Sequence, residues 1–387
     1  MVMHDHAPRL LFLETEDWAF CQHRLPLARA AKEAGYRVGL VAPSGDKVAE
    51  IRAEGFDFFP LEMKRTGLNP LEESLVVARI ASIYRRERPD IVHHVALKSA
   101  LHGTVAARAC RVPAIVNSIT GLGYAFTGEG PKRAALRLVI SNMLKVALHS
   151  RRVRVVFQNP DDRALFVDRG IVDPARCEIV RGSGVDTDRF VPSPEPDGPP
   201  VVLLASRLLW DKGIGELVEA ARTLRKERLD FRLVLAGVPD PANPACIPRA
   251  TLDGWRDEGL VELPGHVKEM EVMLRNAHIA CLPSYREGLP LFLLEAAASG
   301  RPCVTADVPG CREAVRHGEN GLLVPVRDSR ALADALRKLI ADPLLRRKLG
   351  ERGREMAVAD FSARHVTRSI LGIYASLAGP LSPREEG

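Results

Sequence analysis

The sequence lacks the features that mark several classes of protein. Its seven cysteines include no C-x-x-C pair, and scattered thiols in an odd number argue against a disulfide framework. No apolar run approaches the roughly 18 residues of a membrane-spanning helix, and the N-terminal segment becomes charged before the core of a signal peptide can form. These absences favour a protein of the reducing cytoplasm, neither secreted nor membrane-spanning.

The formal net charge of +6 is not accompanied by a helix-turn-helix, zinc-finger or RNA-recognition signature, so no nucleic-acid partner is expected. Between Lys132 and Arg154 there are seven basic residues and no acidic residue, interleaved with Leu, Val, Ile and Met. This mixture is typical of a surface that lies on an anionic bilayer, and also of an ordinary solvated helix face. The sequence leaves both interpretations open. The first implies peripheral contact of the N-terminal domain with the inner face of the cell membrane.

Apolar residues make up 46% of the 387-residue chain and charged residues 27%, which is typical of a globular protein with two domains. From the predicted strand Leu10–Leu13 onward, short apolar runs alternate with amphipathic helical stretches. This alternation predicts an α/β protein in which parallel sheets are covered by helices on both faces.

Five prolines between Pro192 and Pro200 interrupt the alternation, which then restarts. We therefore predict an N-terminal domain over 1–191, a linker over 192–200 and a C-terminal domain over 201–361. A helix over 362–378 is expected to complete the first domain, and the tail 379–387 to fray. The two doubly wound domains are expected to face a deep cleft lined by the carboxyl ends of their strands, where open α/β sheets bind ligands.

The segment between residues 286 and 295 joins a predicted strand to an apolar helix. Gly288 allows the backbone to approach a ligand closely, and Pro290 suits a first helical turn. Amide groups at such a turn attract phosphate, which predicts a pyrophosphate site. The residues expected to form it are Gly288, Leu289, Pro290 and Leu291.

Two carboxylates bracket this turn. Glu295, inside an otherwise apolar helix, is expected to accept ribose hydroxyls, and Glu287, at the turn itself, to accept hydroxyls of a sugar. Taken singly, either carboxylate also fits a helix cap or a solvated side chain. Their combination resembles the signature of the retaining glycosyltransferases of the family-four group, Glu-x7-Glu followed by small residues and Gly-x-Pro. That signature here runs from Glu287 to Pro302.

The resemblance implies the GT-B fold, with the donor held mainly by the C-terminal half. It extends to the stretch Ala205–Gly213, where it implies that Arg207 and Lys212 bind the diphosphate of the donor. A guanidinium fork and an ammonium point charge both stabilise the charge that builds on a departing nucleotide. Surface ion pairing is the alternative for either residue alone. The stretch Leu263–Val267 is similar too, and implies that His266 and Val267 lie near the base.

Motifs of the N-terminal half resemble a subgroup that extends lipid-linked oligosaccharides for surface polysaccharides, such as lipopolysaccharide or capsule, or for bacterial protein glycosylation. They are His23–Pro26, Thr120–Tyr124 and Phe157–Asp162. This resemblance implies an acceptor sugar linked to polyprenyl diphosphate. Expected acceptor contacts are His23 and Arg24, as a basic pair opening the first helix, together with Lys98, Thr120 and Gly121.

Two departures from the family pattern limit this transfer of roles. The stretch Glu14–Trp18 replaces the Gly-Gly loop that many members have after the first strand. Thr120 stands near the place where many members have a catalytic histidine, and a hydroxyl does not replace an imidazole fully. His93, His94 and His102 fit structural roles better than catalytic ones.

No metal or other cofactor is expected. Asp186-Thr187-Asp188 matches the metal-binding D-x-D of another glycosyltransferase architecture, but fits a turn better, and Gly213-Ile214-Gly215 is weak support for NAD. The expected reaction is transfer of a sugar from a nucleotide diphosphate sugar, with UDP as the expected carrier, and the resemblance implies retention of configuration. The alternatives are a non-catalytic partner that binds nucleotide sugar, and an epimerase or glycoside phosphorylase of the same fold.

Overall fold

The computed structural model describes residues 7–64, 69–121 and 131–378, and of residues 131–133 and 378 only the backbone. Leu122, Gly123 and Tyr124 of the subgroup motif lie outside the described residues, as does the tail 379–387. The chain divides into two compact units. The first combines Met1–Ser183 with Val366–Gly387, and the second is Gly184–His365.

Within its described residues the first unit has a seven-stranded sheet in the order β3-β2-β1-β4-β5-β6-β7, and all neighbouring strands run parallel. The strands are β1 (Arg9–Leu13), β2 (Arg37–Ala42), β3 (Asp57–Pro60), β4 (Ile91–Val95), β5 (Ala114–Ile119), β6 (Val153–Phe157) and β7 (Cys177–Ile179). The helices are α1 (Asp17–His23), α2 (Leu25–Glu33), α3 (Val48–Ala53), α4 (Pro70–Glu87), α5 (Leu97–Ala109), α6 (Pro131–Leu148) and α7 (Pro160–Asp168).

The described part of the second unit has a six-stranded sheet in the order β10-β9-β8-β11-β12-β13, again parallel throughout. Its strands are β8 (Val201–Ala205), β9 (Arg232–Ala236), β10 (Glu262–Gly265), β11 (Ile279–Leu282), β12 (Cys303–Ala306) and β13 (Gly321–Val324). Its helices are α8 (Ile214–Lys226), α9 (Arg249–Asp257), α10 (Met270–Arg275), α11 (Leu291–Ala298), α12 (Cys311–Ala314), α13 (Ser329–Ala341) and α14 (Pro343–Asp360). Two parallel-sheet α/β units confirm the predicted fold class.

Several helices begin at an Asn-Pro or Asp-Pro pair. The side chain of Asn69 accepts the amide of Leu71 at the start of α4, and Asn159 accepts the amide of Asp162 at the start of α7. The proline that follows needs no hydrogen-bond acceptor for a backbone N–H, and its φ already suits a helix. These pairs fix where the helices begin after the loops that leave the sheet.

The first helix, which His23 and Arg24 were expected to open, is instead two helices, α1 and α2, which meet at Arg24. Pro26 lies in the first turn of α2, where its ring is tolerated. In one continuous helix the same ring would clash with the preceding turn, so the chain breaks there. Strands β3 and β7 and helix α3 were not predicted, because their apolar runs are short.

Residues 184–200 belong to the second unit, although their prolines predict a linker over 192–200. Phe190 is buried in its core, Glu195 pairs with Arg346 at 2.6 Å, and the carbonyl of Pro196 lies 3.0 Å from Nε2 of His278. The proline-rich backbone is stiff and extended, and it lies along the surface of the second unit because charged and polar side chains of that unit bind it. The prolines therefore indicate an extended segment, but they do not indicate that the second unit begins at Gly184.

The C-terminal helix α15 (Ala363–Ala378) returns the chain to the first unit. Val366, Ile370 and Tyr374 lie at helical spacing and are buried among residues of α2 and β4. No helix in the described ranges is both long enough and apolar enough to cross a bilayer.

Candidate functional site

The sheet of the second unit reverses its direction of winding between β8 and β11, which are neighbours at its centre. Loops leave the carboxyl ends of two such strands in opposite directions, so a crevice opens between them where α/β sheets bind ligands. Arg207 and Lys212 follow β8, and Glu287 follows β11. The predicted catalytic residues therefore flank this switch point.

Gly213 brings the loop after β8 against the loop after β11. It ends the short 3-10 turn Trp210–Lys212 with a φ of 70°. A Cβ atom at Gly213 would lie 2.1 Å from the carbonyl oxygen of Pro283, so only glycine fits. The amide of Tyr285 also donates to the carbonyl of Asp211 at 2.9 Å. These contacts hold Lys212 beside the loop that carries Glu287.

The Lys212 ammonium group donates to Oε1 of Glu287, and the Ser284 hydroxyl donates to the same oxygen at 2.7 Å. Lys212 is 19% exposed and Glu287 13%. Within the described ranges no donor reaches the second oxygen of Glu287. The carboxylate is thus fixed by two protein donors and keeps an acceptor for a hydroxyl group of a ligand.

Arg207 lies opposite Asp240, which belongs to no motif recognised in the sequence. Nη1 of Arg207 and Oδ2 of Asp240 are 2.7 Å apart, and Arg207 is 35% exposed. Asp240 follows β9, the neighbour of β8, and a Cβ atom at Gly237 would lie 1.8 Å from the carbonyl oxygen of Ser206. This close approach joins the two loops. The only sequence signal for Asp240 was that an acidic residue follows the apolar run of β9 closely.

The loop after β12 packs directly against the turn at Gly288. A Cβ atom at Gly310 would lie 2.3 Å from the carbonyl oxygen of Gly288, so a larger residue would displace the turn. Helix α11 begins at Leu291, with Leu289 buried and Pro290 as the residue that precedes the helix rather than part of its first turn. The first N–H groups of a helix lack acceptors within the helix, which makes this end a place for an anion.

Glu295 lies on α11, partly buried, one turn after the helix begins. In the part of the chain that the structure describes, no hydrogen bond or ion pair reaches its carboxyl group. Burial raises the pKa of Glu295 to about 8, Arg189 lowers it and Glu271 raises it further. A polar group in such a place is costly unless it is hydrogen-bonded, so the carboxyl group is available to hydroxyl groups of a ligand.

His266 and Val267 follow β10, at the same edge of the sheet but two strands away from β8. The amide of Gly237 donates to the carbonyl of Gly265 at 2.8 Å, which ties this loop to the loop of Asp240. His266 is exposed, and Val267 is partly buried against the core. Their predicted contact with the base of the donor remains a prediction.

Asp186-Thr187-Asp188 forms a turn, as predicted. Oδ1 of Asp186 accepts the amides of Asp188 and Arg189 at 3.0 and 3.1 Å. The carboxylate of Asp188 pairs with Arg364. These oxygens are engaged in local structure, which explains the acidic residues without a metal.

The residues predicted to contact the acceptor lie at the carboxyl edge of the first sheet. Thr120 and Gly121 follow β5 and are partly buried. Lys98, in the first turn of α5, donates to Oε1 of Glu73 at 2.7 Å and to the carbonyl of Lys64 at 2.5 Å. An acceptor phosphate at Lys98 would therefore compete with Glu73.

His23 and Arg24 end α1 instead of opening the first helix, because Pro26 starts a second one. Arg24 and Glu14 are each only 3% exposed. Burial lowers the pKa of His23 to about 4 and raises the pKa of Glu14 to about 8. The basic pair is thus less accessible than the sequence suggested, because the helix break turns Arg24 toward the interior.

His93 and His94 are fully buried on opposite faces of β4. The nitrogens of His93 lie 2.5 Å from the Tyr374 hydroxyl and 2.7 Å from the Ser118 hydroxyl. His94 lies 3.1 Å from the Tyr84 hydroxyl and 2.8 Å from Oδ1 of Asn117. Burial lowers the pKa of both imidazoles, so they are neutral hydrogen-bonding groups. This agrees with the structural role predicted for them.

Comparison with known proteins places both units among glycosyltransferases. The family model "Glycosyl transferases group 1" matches residues 186–356, and "Glycosyl transferase 4-like" matches residues 9–159. The chain is 27% identical over 363 residues to N,N'-diacetylbacillosaminyl-diphospho-undecaprenol alpha-1,3-N-acetylgalactosaminyltransferase of Campylobacter jejuni, covering 90% of this chain and 94% of that protein.

A second relative is UDP-Gal:alpha-D-GlcNAc-diphosphoundecaprenol alpha-1,3-galactosyltransferase of Escherichia coli. The two sequences are 25% identical over 285 residues, which cover 68% of this chain and 69% of that protein. Among solved structures, sucrose-phosphate synthase of Thermosynechococcus elongatus is similar in fold, with a TM-score of 0.81, 21% identity, and coverage of 96% of this chain and 99% of that chain. With the paired acidic residues after β11 and the two cations after β8, these matches show that the chain belongs to the family-four glycosyltransferases of the GT-B fold.

Proposed function

We propose that this glycosyltransferase moves a sugar from a UDP-sugar to a saccharide linked to polyprenyl diphosphate, with retention of the anomeric configuration. The observation that carries the proposal is the convergence of Arg207, Lys212, Glu287 and Glu295 at the switch point of the second sheet. The two curated relatives support the substrates, because their names specify diphospho-undecaprenol-linked saccharides and, for one of them, UDP-Gal as the donor.

Arg207 and Lys212 are proposed to hold the diphosphate of the donor. Each now has one carboxylate partner, Asp240 for Arg207 and Glu287 for Lys212. Both pairs are partly exposed, so a diphosphate can replace the carboxylates without a change of fold. Charge-assisted bonds from a guanidinium fork and an ammonium group would then hold the phosphates, together with the turn of Gly288, Leu289, Pro290 and Leu291.

The two acidic residues are proposed to recognise the two ends of the donor. Glu295 accepts the ribose hydroxyls, since no protein donor reaches it in the described residues. Glu287, still held by Ser284 when Lys212 turns to the diphosphate, accepts hydroxyls of the transferred sugar. Loops carrying His266 and Val267 are proposed to contact the base. These assignments place the anomeric carbon beside the cations.

In the proposed reaction, the bond between the anomeric carbon and the β-phosphate oxygen breaks, and its electron pair stays on that oxygen as UDP departs. The acceptor hydroxyl attacks the same face of the sugar ring, and its proton passes to the departing phosphate oxygen. Arg207 and Lys212 stabilise the charge that builds on the diphosphate, which is the role that a metal has in other transferases. No metal or covalent sugar-enzyme intermediate is part of the proposal.

The acceptor is proposed to reach the carboxyl edge of the first sheet, with Lys98, Thr120, Gly121 and the partly buried His23 as contact residues, whereas the buried Arg24 is left out of the contact set. A lipid-linked acceptor requires the protein to work at the inner face of the cell membrane. We therefore propose a cytoplasmic protein that associates peripherally with that surface.

Helix α6 supports the membrane contact. Leu144, Ala147 and Leu148 bury one of its faces in the first unit. Its outer face exposes further apolar side chains, which are Leu138 (65%), Val139 (55%), Met143 (49%) and Val146 (71%). A helix that is apolar on both faces needs a second apolar environment on the outside.

The charges around this outer face fit an anionic bilayer. Lys145 on α6 and Arg151 and Arg152 after it are exposed, and no acidic residue occurs between Lys132 and Arg154. The side chains of Lys132 and Arg133 are outside the described residues. Apolar insertion combined with basic side chains at the headgroups is the usual mode of interfacial binding.

Thr120, in place of a histidine that many related enzymes use, is the observation behind the alternative functions. A partner that binds nucleotide sugar without turning it over needs the donor site but not that imidazole. An epimerase of the same fold would use the same donor site and no acceptor.

Incubation of the protein with radiolabelled UDP-sugars and a polyprenyl-diphosphate-linked saccharide separates these functions. Label on the lipid with the donor's anomeric configuration is the expected result. An epimerised nucleotide sugar would indicate the epimerase, and binding of UDP with no turnover the non-catalytic partner. Protein carrying Lys212→Ala serves as the inactive control.

A further inference from the structure

A segment of the second unit that precedes β8 lies against the helix of Glu295. Arg354 on α14 makes the connection, because its Nη1 donates to the carbonyls of Thr187 and Phe190 at 3.0 and 2.8 Å and to the carbonyl of Ala298 at 3.1 Å. Ala298 is the last residue of α11. One guanidinium group therefore holds the turn of residues 187–190 against the end of the helix that carries Glu295.

Arg189, within this turn, is fixed in three ways. Its amide donates to the side chain of Asp186, and its guanidinium carbon lies 5.4 Å from the centre of the Phe190 ring. Its Nη2 lies 2.6 Å from Oε2 of Glu271 on α10. A long side chain held at its backbone, along its length and at its end has a defined position next to α11.

Beside the burial that raises the pKa of Glu295, the positive charge of Arg189 lowers this pKa and the negative charge of Glu271 raises it. Arg189 attracts the negative charge of Glu295 and Glu271 repels it. Arg354 also lies against α11, but its guanidinium group is occupied by three backbone carbonyls. The ion pair of Arg189 and Glu271 thus presents both signs of charge to one carboxyl group.

We propose that Arg189 and Glu271 are positioning residues of the donor site, which set the charge of Glu295 and thereby the affinity for the ribose of the nucleotide. This inference rests on the proposed function, in which Glu295 accepts ribose hydroxyls. A carboxylate accepts two hydroxyl donors of a diol, whereas a protonated carboxyl group has one oxygen committed as a donor. Ionisation of Glu295 therefore strengthens ribose binding.

Nucleotide affinity should consequently rise with pH until Glu295 is ionised. Arg189→Gln removes the attractive charge, so a higher pH is needed to ionise Glu295. Glu271→Gln removes the repulsive charge, so a lower pH suffices. The two substitutions break the same ion pair but shift the midpoint of the pH profile in opposite directions. Arg189→Lys keeps the charge and should leave the midpoint close to that of the wild type.

The test is calorimetric titration of the full chain with UDP between about pH 6 and about pH 9. Glu295→Gln should flatten the part of the profile that belongs to this site. The terminal phosphate of UDP titrates near about pH 6, and the Glu295→Gln profile measures that contribution alone. We expect the midpoint to rise by about half a pH unit or more in Arg189→Gln and to fall by a similar amount in Glu271→Gln.

A merely structural ion pair would weaken binding in both variants and leave the midpoint in place. Midpoints that stay together or move in the same direction, with Glu295→Gln flat, would overturn the roles of Arg189 and Glu271 alone. A Glu295→Gln profile identical to that of the wild type would overturn the ribose role of Glu295 in the proposed function, and this inference with it. Failure of the wild-type protein to bind UDP would contradict the proposed donor.

Discussion

The two units have sheets of the same construction, each with a switch point between its central strands, but the charged residues at these places are held differently. In the second unit Arg207 and Lys212 are 35% and 19% exposed, and each has a carboxylate partner. In the first unit Glu14 and Arg24 are each 3% exposed. The side chain of Arg24 makes no hydrogen bond to any residue that the structure describes.

The difference separates two uses of charge. A partly exposed ion pair costs little and can be exchanged for a ligand of the same charge. A buried charge is costly to desolvate, so burial shifts its pKa and lowers the stability of the protein. The partly exposed pairs of the second unit therefore suit the proposed exchange with a diphosphate. The side chains of Glu14 and Arg24 in the first unit are enclosed, so their first effect is on stability.

The largest expected effect is on turnover when a cation of the second unit is removed. Lys212→Ala should lower kcat by about 10²–10³-fold, because one preorganised charge at the departing diphosphate is lost. Circular dichroism should show an intact fold. Arg232→Ala, which removes an exposed ion pair with Glu262 elsewhere in this unit, is the matched control and should keep full activity. Full activity of Lys212→Ala would show that the cations at the carboxyl edge of the second sheet are not needed for turnover.

A second prediction concerns the glycine that joins the two loops of the donor site. Gly213→Ala should lower the free energy of unfolding by about 1–3 kcal/mol, because a Cβ atom would lie 2.1 Å from the Pro283 carbonyl and φ is positive. Gly254→Ala in α9 meets no atom within 4 Å and should raise it by about 0.5–1 kcal/mol. Urea unfolding measures both. Equal effects would show that the loops do not pack as described.

A third prediction tests whether membrane contact belongs to the first unit alone. Replacing Leu138 and Val146 by glutamine should weaken binding to vesicles of anionic lipid at least about tenfold, since two apolar side chains leave the bilayer. The same change at Leu344 and Val358, exposed residues of α14, should have no effect. Sedimentation with vesicles gives the partition coefficient. Unchanged partition of the α6 variant would contradict the proposed surface.

The smallest expected effect compares two carboxyl groups of equal pKa in the two units. Burial raises the pKa of both Glu14 and Glu295 to about 8. Between the ordinary carboxyl pKa and pH 8 the unfolded chain has released these protons and the folded chain retains them, so stability falls as pH rises. Glu14→Gln and Glu295→Gln should each be more stable than the wild type by about 1 kcal/mol or more at pH 7, and the gain should shrink toward pH 5.

The same two variants should differ in binding. Only Glu295→Gln should change the affinity for UDP, because Glu14 lies in the other unit. Thermal unfolding across pH and calorimetric titration measure the two properties separately. If Glu14→Gln lost as much UDP affinity as Glu295→Gln, nucleotide binding would not be confined to the second unit.

Much of the fold was predictable because parallel strands of a doubly wound sheet are continuous apolar runs. Strands β8 and β11 are buried along almost their whole length, so they stand out in the sequence as short apolar runs. Short elements such as β3 and β7 were missed, since three or four residues carry too little periodicity.

The candidate site was predictable where residues lie close in the sequence. Glu287 and Glu295 share one strand-to-helix junction, so their spacing is visible. Asp240 was missed because its contact with Arg207 depends on the pairing of β8 with β9, which no local pattern shows. The burial of Arg24 was missed for a related reason, because it follows from a helix break at Pro26.

The central claim is that the carboxyl edge of the second sheet, between β8 and β11, holds the diphosphate of the donor. A crystal structure of the protein with UDP tests it most directly. We expect the diphosphate within hydrogen-bond distance of Arg207 and Lys212, with both cations released from Asp240 and Glu287, and the ribose hydroxyls on Glu295. A nucleotide bound elsewhere, with both ion pairs still intact, would contradict the account.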